Sequence, residues 1–270
     1  MKAFTYLRPK TVDEAAAALM DHPEALPLAG GMSLLSSMKL GLNDPSHLID
    51  LQDLGLAGIT DGGDTLTIGA MTRHADVAAS PLIAERLQAL GKLARGIGDR
   101  QVRNRGTIGG SLANNDPAAC YPSATLGLGA TVVTNQRRIA ADDFFVDMFT
   151  TDLEEGELIT EVVFPIPSAA AYIKFHQQAS RFAMIGVFAA RFADGTVRIA
   201  ITGGGDGVFR PKAVEELLTG GDHAARIDPE LIDLDLMAGD IHADPVYRRN
   251  LAAVGIERAM AEIALQAADA

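Results

Sequence analysis

The sequence has no tryptophan, a single cysteine and few aromatic residues, 5% in all. One thiol, Cys120, excludes an intramolecular disulfide and is too few for a four-cysteine zinc site or for an iron–sulfur cluster ligated by this chain alone. Basic residues are also scarce. Lys and Arg total 23 against 35 Asp and Glu, and the resulting net charge of −12 repels phosphate backbones and anionic lipid. Nucleic acid and the membrane surface are therefore poor partners. Long apolar runs are missing too: residues 117–136 carry no charge, but Pro117, Pro122, several glycines and Asn135 interrupt them, so the stretch reads as buried loop, helix and strand. The first thirty residues carry Lys2, Arg8 and Lys10 without a long apolar core and cleavage site, so the expected location is the reducing cytoplasm. The six histidines show no metal-ligand spacing, and no acid–base pair or nucleophile stands out.

What is present is an ordinary apolar fraction, 48%, and an excess of glycine, 27 residues in 270. A chain of this length suggests two domains of about 150 residues or one large α/β unit. The first fifty residues read β-α-β-turn-α-β. Residues 4–7 are strand-like, Thr11 followed by Glu14 opens a helix as a capping box, LPLA at 26–29 reads as a buried strand, a short helix follows from Ser33 to Met38, and HLIDL at 47–51 is a strand. A hairpin is expected over 59–70 and a helix start at Ser80-Pro81. The start of 106–129 fits neither helix nor strand, and a helix is expected from Pro122 to Gly129. Strands are expected at 130–140 and 157–167, a boundary near 165–171, then three antiparallel strands and a final helix near 244–267, an α+β arrangement.

Two glycine segments carry the chemistry. AGGMS, from Ala29 to Ser33, places two glycines and a hydroxyl at a strand exit, where backbone N–H groups can face a phosphate. The competing reading is a tight strand-to-helix turn with Ser33 as N-cap. No Walker lysine follows, and no G-x-G-x-x-G stands in the first half. TIGGS, from Thr107 to Ser111, repeats the pattern, so two loops can embrace one pyrophosphate. Arg95, Arg100, Arg103 and Arg105 precede it as a basic island, suited to bidentate anion contacts, to solvent, or to an acidic partner.

TIGGSLANNDPAACYP at 107–122 and AGGMSLLSSMKL at 29–40 together resemble the FAD-binding medium subunit of molybdenum hydroxylases of the carbon monoxide dehydrogenase and xanthine dehydrogenase type. The family patterns read approximately AGGHSLxPxMKL and TIGGNLAxxDPAxDxP. The resemblance extends through LEEGELITEVVFPIP, ASRFAMIGVFAA and TGGGDGVFRP to YRRNLA, nearly the whole chain. It implies a two-subdomain FAD-binding fold of the vanillyl-alcohol oxidase type over 1–167, with subdomains at about 1–52 and 53–167. A smaller C-terminal α/β domain with a three-stranded antiparallel sheet and helices would follow over 168–270.

The resemblance further implies that Ala29, Gly30, Gly31, Met32 and Ser33, with Thr107, Ile108, Gly109, Gly110 and Ser111, line the FAD pyrophosphate. Glycine suits such positions because a Cβ would push the backbone away from the phosphates. Position 120, usually Asp and a contact to the sugar-like part of FAD, is Cys120. Met32 replaces His, Ser111 replaces Asn, and Phe182 stands where some relatives place Tyr near the isoalloxazine ring. Ile159 matches a position whose backbone approaches the flavin. Asp116 and Pro117 read as a turn. The implied partners are a large molybdenum-cofactor subunit and a small subunit with two [2Fe–2S] clusters, assembled as a dimer of heterotrimers. Electrons would pass through the clusters to FAD and on to quinone, NAD or another acceptor. A stand-alone FAD oxidoreductase and a flavin-free scaffold are the alternatives.

Overall fold

The computed structural model describes residues 2–221 and 226–268. The chain opens with β1 (Thr5–Leu7), α1 (Val12–Asp21), β2 (Ala25–Leu28), α2 (Leu34–Lys39) and β3 (His47–Asp50). The strands form a parallel sheet in the order β1-β3-β2. Thr11 caps α1 by accepting the Glu14 N–H at 3.2 Å, while the Glu14 carboxylate accepts from Lys10 N–H at 2.8 Å, so the expected box closes one residue early. Ala15 and Leu19 of α1 pack with Ala25, Ile49 and Leu51. β2 is less buried than expected. It is an edge strand, and the missing N–H of Pro27 costs the sheet nothing there.

The middle of the chain begins with the hairpin β4 (Ile59–Asp61) and β5 (Thr65–Gly69). Six short helices follow: α3 (His74–Ala79), α4 (Pro81–Arg86), α5 (Gln88–Arg95), α6 (Arg100–Arg105), α7 (Ile108–Asn114) and α8 (Tyr121–Leu128). Then come β6 (Thr131–Thr134), β7 (Arg138–Ala140), α9 (Ala141–Phe144), the small hairpin β8 (Phe145–Asp147) and β9 (Thr150–Thr151), and β10 (Ile159–Pro165). These strands make an antiparallel sheet in the order β4-β5-β10-β6-β7, with β8 and β9 paired apart. α7 corrects the expectation of irregular backbone after 106. Thr107 caps it, and Gly109 is held at a site where a Cβ would stand 2.6 Å from the Ala70 Cβ, so close packing offsets the roughly 1 kcal/mol that helical glycine costs. Asn115, at φ 39°, ends the helix in the left-handed conformation.

The last third holds β11 (Ala169–His176), β12 (Ala183–Arg191) and β13 (Val197–Thr202), then α10 (Lys212–Leu218) and α11 (Pro245–Ala268). The three strands are antiparallel in sequence order. Their alternation explains their continuous apolar runs. Ala170, Tyr172, Phe188 and Ala190 face the core shared with α5 and α8, while Ala171, Val187, Ala189, Ile199 and Ile201 face the core under α10 and α11. α8 is buried along its whole length, with β12 and β13 on one side and β10 within reach, which accounts for the uncharged stretch 117–136. Among the described residues no helix is long and apolar enough to cross a membrane.

Candidate functional site

The two glycine segments meet. A Cβ built on Gly30 would lie 2.2 Å from the carbonyl oxygen of Arg105, and one on Gly110 would lie 3.3 Å from the Ala29 Cβ. Glycine is thus required here so that one loop can touch the other. This corrects the reason inferred from sequence, because at Gly30, Gly109 and Gly110 the missing side chain would strike protein. Gly31 has a different demand, a φ of +73°, which side-chain-bearing residues rarely adopt.

The loops differ in what they offer. In the second, Ile108 N–H donates to Thr72 O at 3.1 Å, Gly109 N–H to Ala70 O at 2.8 Å, Gly110 N–H to Thr107 Oγ1 at 3.1 Å and Ser111 N–H to Thr107 O at 3.0 Å. In the first, the successive N–H groups from Gly30 to Leu34 have no acceptor among the described residues. Ser33 occupies the N-cap position of α2 with φ −89° and ψ −52°, and its hydroxyl makes no capping bond. AGGMS is thus the expected strand-to-helix turn, with Gly31 O accepting the Leu35 N–H at 3.1 Å, but without the side-chain cap bond. A run of free donors beside an exposed Ser33 hydroxyl is chemically an anion cradle. Ser111 is half-buried, and Met32 is exposed at the rim.

Beneath the second loop lies His74, which sequence reasoning did not single out. Its N–H donates to Gly106 O at 2.9 Å, and its ring is 5.2 Å from Tyr121. Burial, assisted by the Arg103 charge, lowers its pKa to about 4, so the imidazole is neutral. Burial pushes the Tyr121 phenol up. Among the described residues His74 Nδ1 and the Tyr121 hydroxyl are buried without a hydrogen-bond partner.

Cys120 is 5% exposed, and the Lys174 ammonium lies 3.3 Å from its sulfur while also donating to Gly96 O at 3.0 Å. Both Lys174 and Tyr172 line a cavity of about 540 Å³ together with Arg95, Arg103, His176 and Arg181. Two arginines of the basic island are thus part of a cavity wall. Phe182 follows Arg181 on the exposed tip between β11 and β12, a tip tightened by the positive φ of Arg181, 62°, and by Gln177 N–H donating to Phe182 O at 2.9 Å. Ile159 is buried in β10, and the adjacent Thr160 carbonyl accepts the Ala70 N–H at 2.9 Å, whose own carbonyl holds Gly109. The expected Asx contact at Asp116 is present, accepting the Ala118 N–H at 2.9 Å. The Pro117 carbonyl accepts from Gly203 N–H and Thr202 Oγ1, tying this turn to β13. The lining residues other than the island arginines carried no motif, because they converge from α5, the loop after it, and β11 only in three dimensions.

Comparison with known proteins places the chain among flavoprotein subunits. The family described as the FAD binding domain in molybdopterin dehydrogenase matches residues 2–167. The nicotine 6-hydroxylase medium subunit of Paenarthrobacter nicotinovorans is 33% identical over 97% of this chain and 98% of its own length. The structure of carbon monoxide dehydrogenase from Hydrogenophaga pseudoflava superposes with a TM-score of 0.90 at 34% identity, covering 98% of each chain. Quinoline 2-oxidoreductase from Pseudomonas putida 86 superposes with a TM-score of 0.87 at 30% identity, covering 99% of each chain.

Proposed function

The chain belongs to the family of FAD-binding domains of molybdopterin dehydrogenases, and on that premise we propose that it is the electron-transfer medium subunit of a heteromeric molybdenum hydroxylase. The observation that carries the reading is the contact of two glycine loops, one of which presents unpaired N–H groups from Gly30 to Leu34. These groups fit a diphosphate.

When bound, FAD supplies the exchange of electrons between one-electron and two-electron partners. The residues of the chain hold and orient it. Ala29, Gly30, Gly31, Met32 and Ser33 would face the pyrophosphate with their N–H groups and the Ser33 hydroxyl. Thr107, Ile108, Gly109 and Gly110 would serve by locking the second loop against the first, with the Ser111 side chain added at its edge. The Ile159 segment braces that loop through Ala70. Cys120 and Phe182 lie beside the cavity wall and at the tip above it, where a ring can pack. Residues 1–167 would bind the cofactor, with β11 and β12 of the C-terminal unit closing one side.

The names of the relatives, medium subunit and medium chain, support assembly with other chains, and the partners we propose are a large molybdenum-cofactor subunit and a small subunit with two [2Fe–2S] clusters in a dimer of heterotrimers. The cytoplasm is the proposed location. The test is purification of the tagged chain from its own cells, with the flavin spectrum, iron, molybdenum and co-purifying chains measured together. Flavin with both partners is expected. A flavin-free chain would favour the scaffold reading, and substrate oxidation by the isolated chain would favour a stand-alone oxidoreductase.

A further inference from the structure

A second cavity, of about 280 Å³, opens at the C-terminal end of α7, where the β8–β9 hairpin, the turn 205–209 after β13 and residues 235–238 converge. Its walls are built in advance. Asn115, the left-handed cap of α7, donates its two amide protons to Asp147 O at 2.8 Å and Thr150 O at 2.9 Å, and its own carbonyl accepts the Phe149 N–H at 3.1 Å, which fixes the hairpin. On the C-terminal side, Ala238 N–H donates to Gly204 O at 2.7 Å, and Gly205 has no room for a Cβ beside the Leu236 carbonyl, so those two stretches are pinned together.

The lining is acidic and unmatched. Asp147, Asp206 and Asp235 are exposed around it, no lysine or arginine stands in its wall, and among the described residues none of the three carboxylates forms an ion pair. Arg210, just beyond the turn, is held by Asp142 at 2.6 Å and Glu215 at 2.7 Å and cannot answer them. A second observation is independent of the carboxylates. Asn115 lines the cavity and is 1% exposed; because both acceptors of its Nδ2 are carbonyls, its amide can stand only one way round, which leaves Oδ1 buried with no donor among the described residues. Negative charge together with an unused acceptor suits a cation that brings several N–H groups.

Size and the apolar part of the wall decide which cation. Among the described residues no three carboxylate, imidazole or thiol groups stand so that they could hold a metal ion. The volume falls below the roughly 300–1,000 Å³ of small-molecule sites and has room for one long side chain. Leu236 and Met237 supply aliphatic wall along which a methylene stem can lie, and Phe145 and Phe209 supply rings. A guanidinium fits this set better than an ammonium, since its fork reaches several acceptors at once and its plane stacks on aromatic faces. Val146, Met148 and Phe149 of the hairpin and Leu234 beside Asp235 are exposed apolar side chains, so the surface around the cavity is itself suited to burial. An arginine anchor ringed by contacts that exclude water is how protein interfaces concentrate binding energy. A second copy of this chain, with its net charge of −12, would be repelled.

We infer that this cavity is a docking socket for an arginine side chain presented on a basic loop of a partner chain in the heteromeric complex. The inference rests on the proposed reading as a subunit of such a complex and adds the surface by which the subunit is held.

The experiment compares the complex purified from its own cells with the full tagged chain produced alone. Carboxylates in both are labelled with a carbodiimide and glycine ethyl ester, partner arginines with a dicarbonyl reagent, and the sites are read by mass spectrometry. Asp147, Asp206 and Asp235 should label readily in the chain alone and at least tenfold more slowly in the complex, and one partner arginine should become resistant on assembly. Reassembly of the chain with its separated partners should need roughly tenfold more partner for each carboxylate neutralised in Asp206→Asn/Asp235→Asn, with most of the affinity kept in Asp206→Glu/Asp235→Glu. The ratio of flavin to protein absorbance should be unchanged in both pairs.

Partners that co-purify while the three carboxylates label equally in the complex and in the chain alone would overturn the inference and leave the subunit reading standing. Protection by a second copy of this chain would overturn it as well, as would protection with no partner arginine made resistant, or unchanged reassembly by the asparagine pair. A chain that co-purifies with nothing would refute the subunit reading and this inference together.

Discussion

Replacing His74 with phenylalanine should remove a specific acid sensitivity from the fold. The imidazole is 5% exposed, lies under Gly106 and packs against Tyr121, and burial followed by the nearby Arg103 charge lowers its pKa from 6.5 to about 4. The unfolded chain therefore takes up this proton as pH falls through the ordinary histidine range, while the folded chain resists until near its own lowered value. Between those limits the unfolded state binds more protons, so stability falls as pH falls. With those two values the loss is a few tenths of a kcal/mol or less near pH 7, about 2 kcal/mol near pH 5, and about 3 kcal/mol once both states are protonated. Phenylalanine keeps a ring against Tyr121 and carries no proton. Urea unfolding followed by far-ultraviolet circular dichroism, run on both proteins near pH 7 and near pH 5, should show the variant losing about 2 kcal/mol less than the wild type across the interval. Any packing penalty from the larger ring is the same at both pH values and cancels, as do the carboxylates common to both chains. Parallel losses in the two proteins would refute the reasoning and would mean that the folded imidazole meets water or an anion.

Gly30→Ala should lower flavin retention and cost about 1–3 kcal/mol, because the new Cβ would stand 2.2 Å from a backbone oxygen that cannot rotate away. Gly207→Ala, where a Cβ meets nothing within 4 Å, should leave both the absorbance ratio and the melting temperature near wild type. The two hydroxyl residues of the cradle should separate cleanly. Thr107→Ala removes the acceptor for Gly110 N–H and should cost about 1 kcal/mol in chemical denaturation, whereas Ser33→Ala removes no cap bond and should change FAD affinity with little change in stability.

Much of the fold was legible because local signals coincide with the tertiary demand. Thr11 and Glu14 mark a helix start, Gly129 ends α8 with a φ of 63°, and the apolar runs of the last third read as three antiparallel strands, all of which the structure contains. The run of short helices between 74 and 128 was mostly unreadable. α6 has no buried residue to set a period, whereas α8, buried all round and so without a one-sided pattern, was read as a helix from Pro122 and Gly129. β2 misled for a related reason: an apolar quartet suggests burial, but its place at the sheet edge is decided by the order β1-β3-β2, a fact of topology.

The candidate site was legible as a pair of glycine loops and illegible as a division of labour between them. Sequence alone treats AGG and IGG as equivalent, since both pair glycines with hydroxyls. The hydrogen bonds separate them: the N–H groups of Ile108 to Ser111 are consumed by Thr72, Ala70 and Thr107, while those of Gly30 to Leu34 are left open. Such a split follows from the neighbours. The second loop opens a helix that must pack against the middle sheet, and its donors are spent on that docking. The first leaves an edge strand, where among the described residues no neighbouring strand accepts its donors. On the proposed reading, binding specificity in this cradle would reside in the first loop, and the second would act by holding the first in position through the backbone contact between Gly30 and Arg105. Substitutions in the second loop should consequently alter stability and flavin retention together, whereas substitutions of the exposed side chains in the first should alter retention alone.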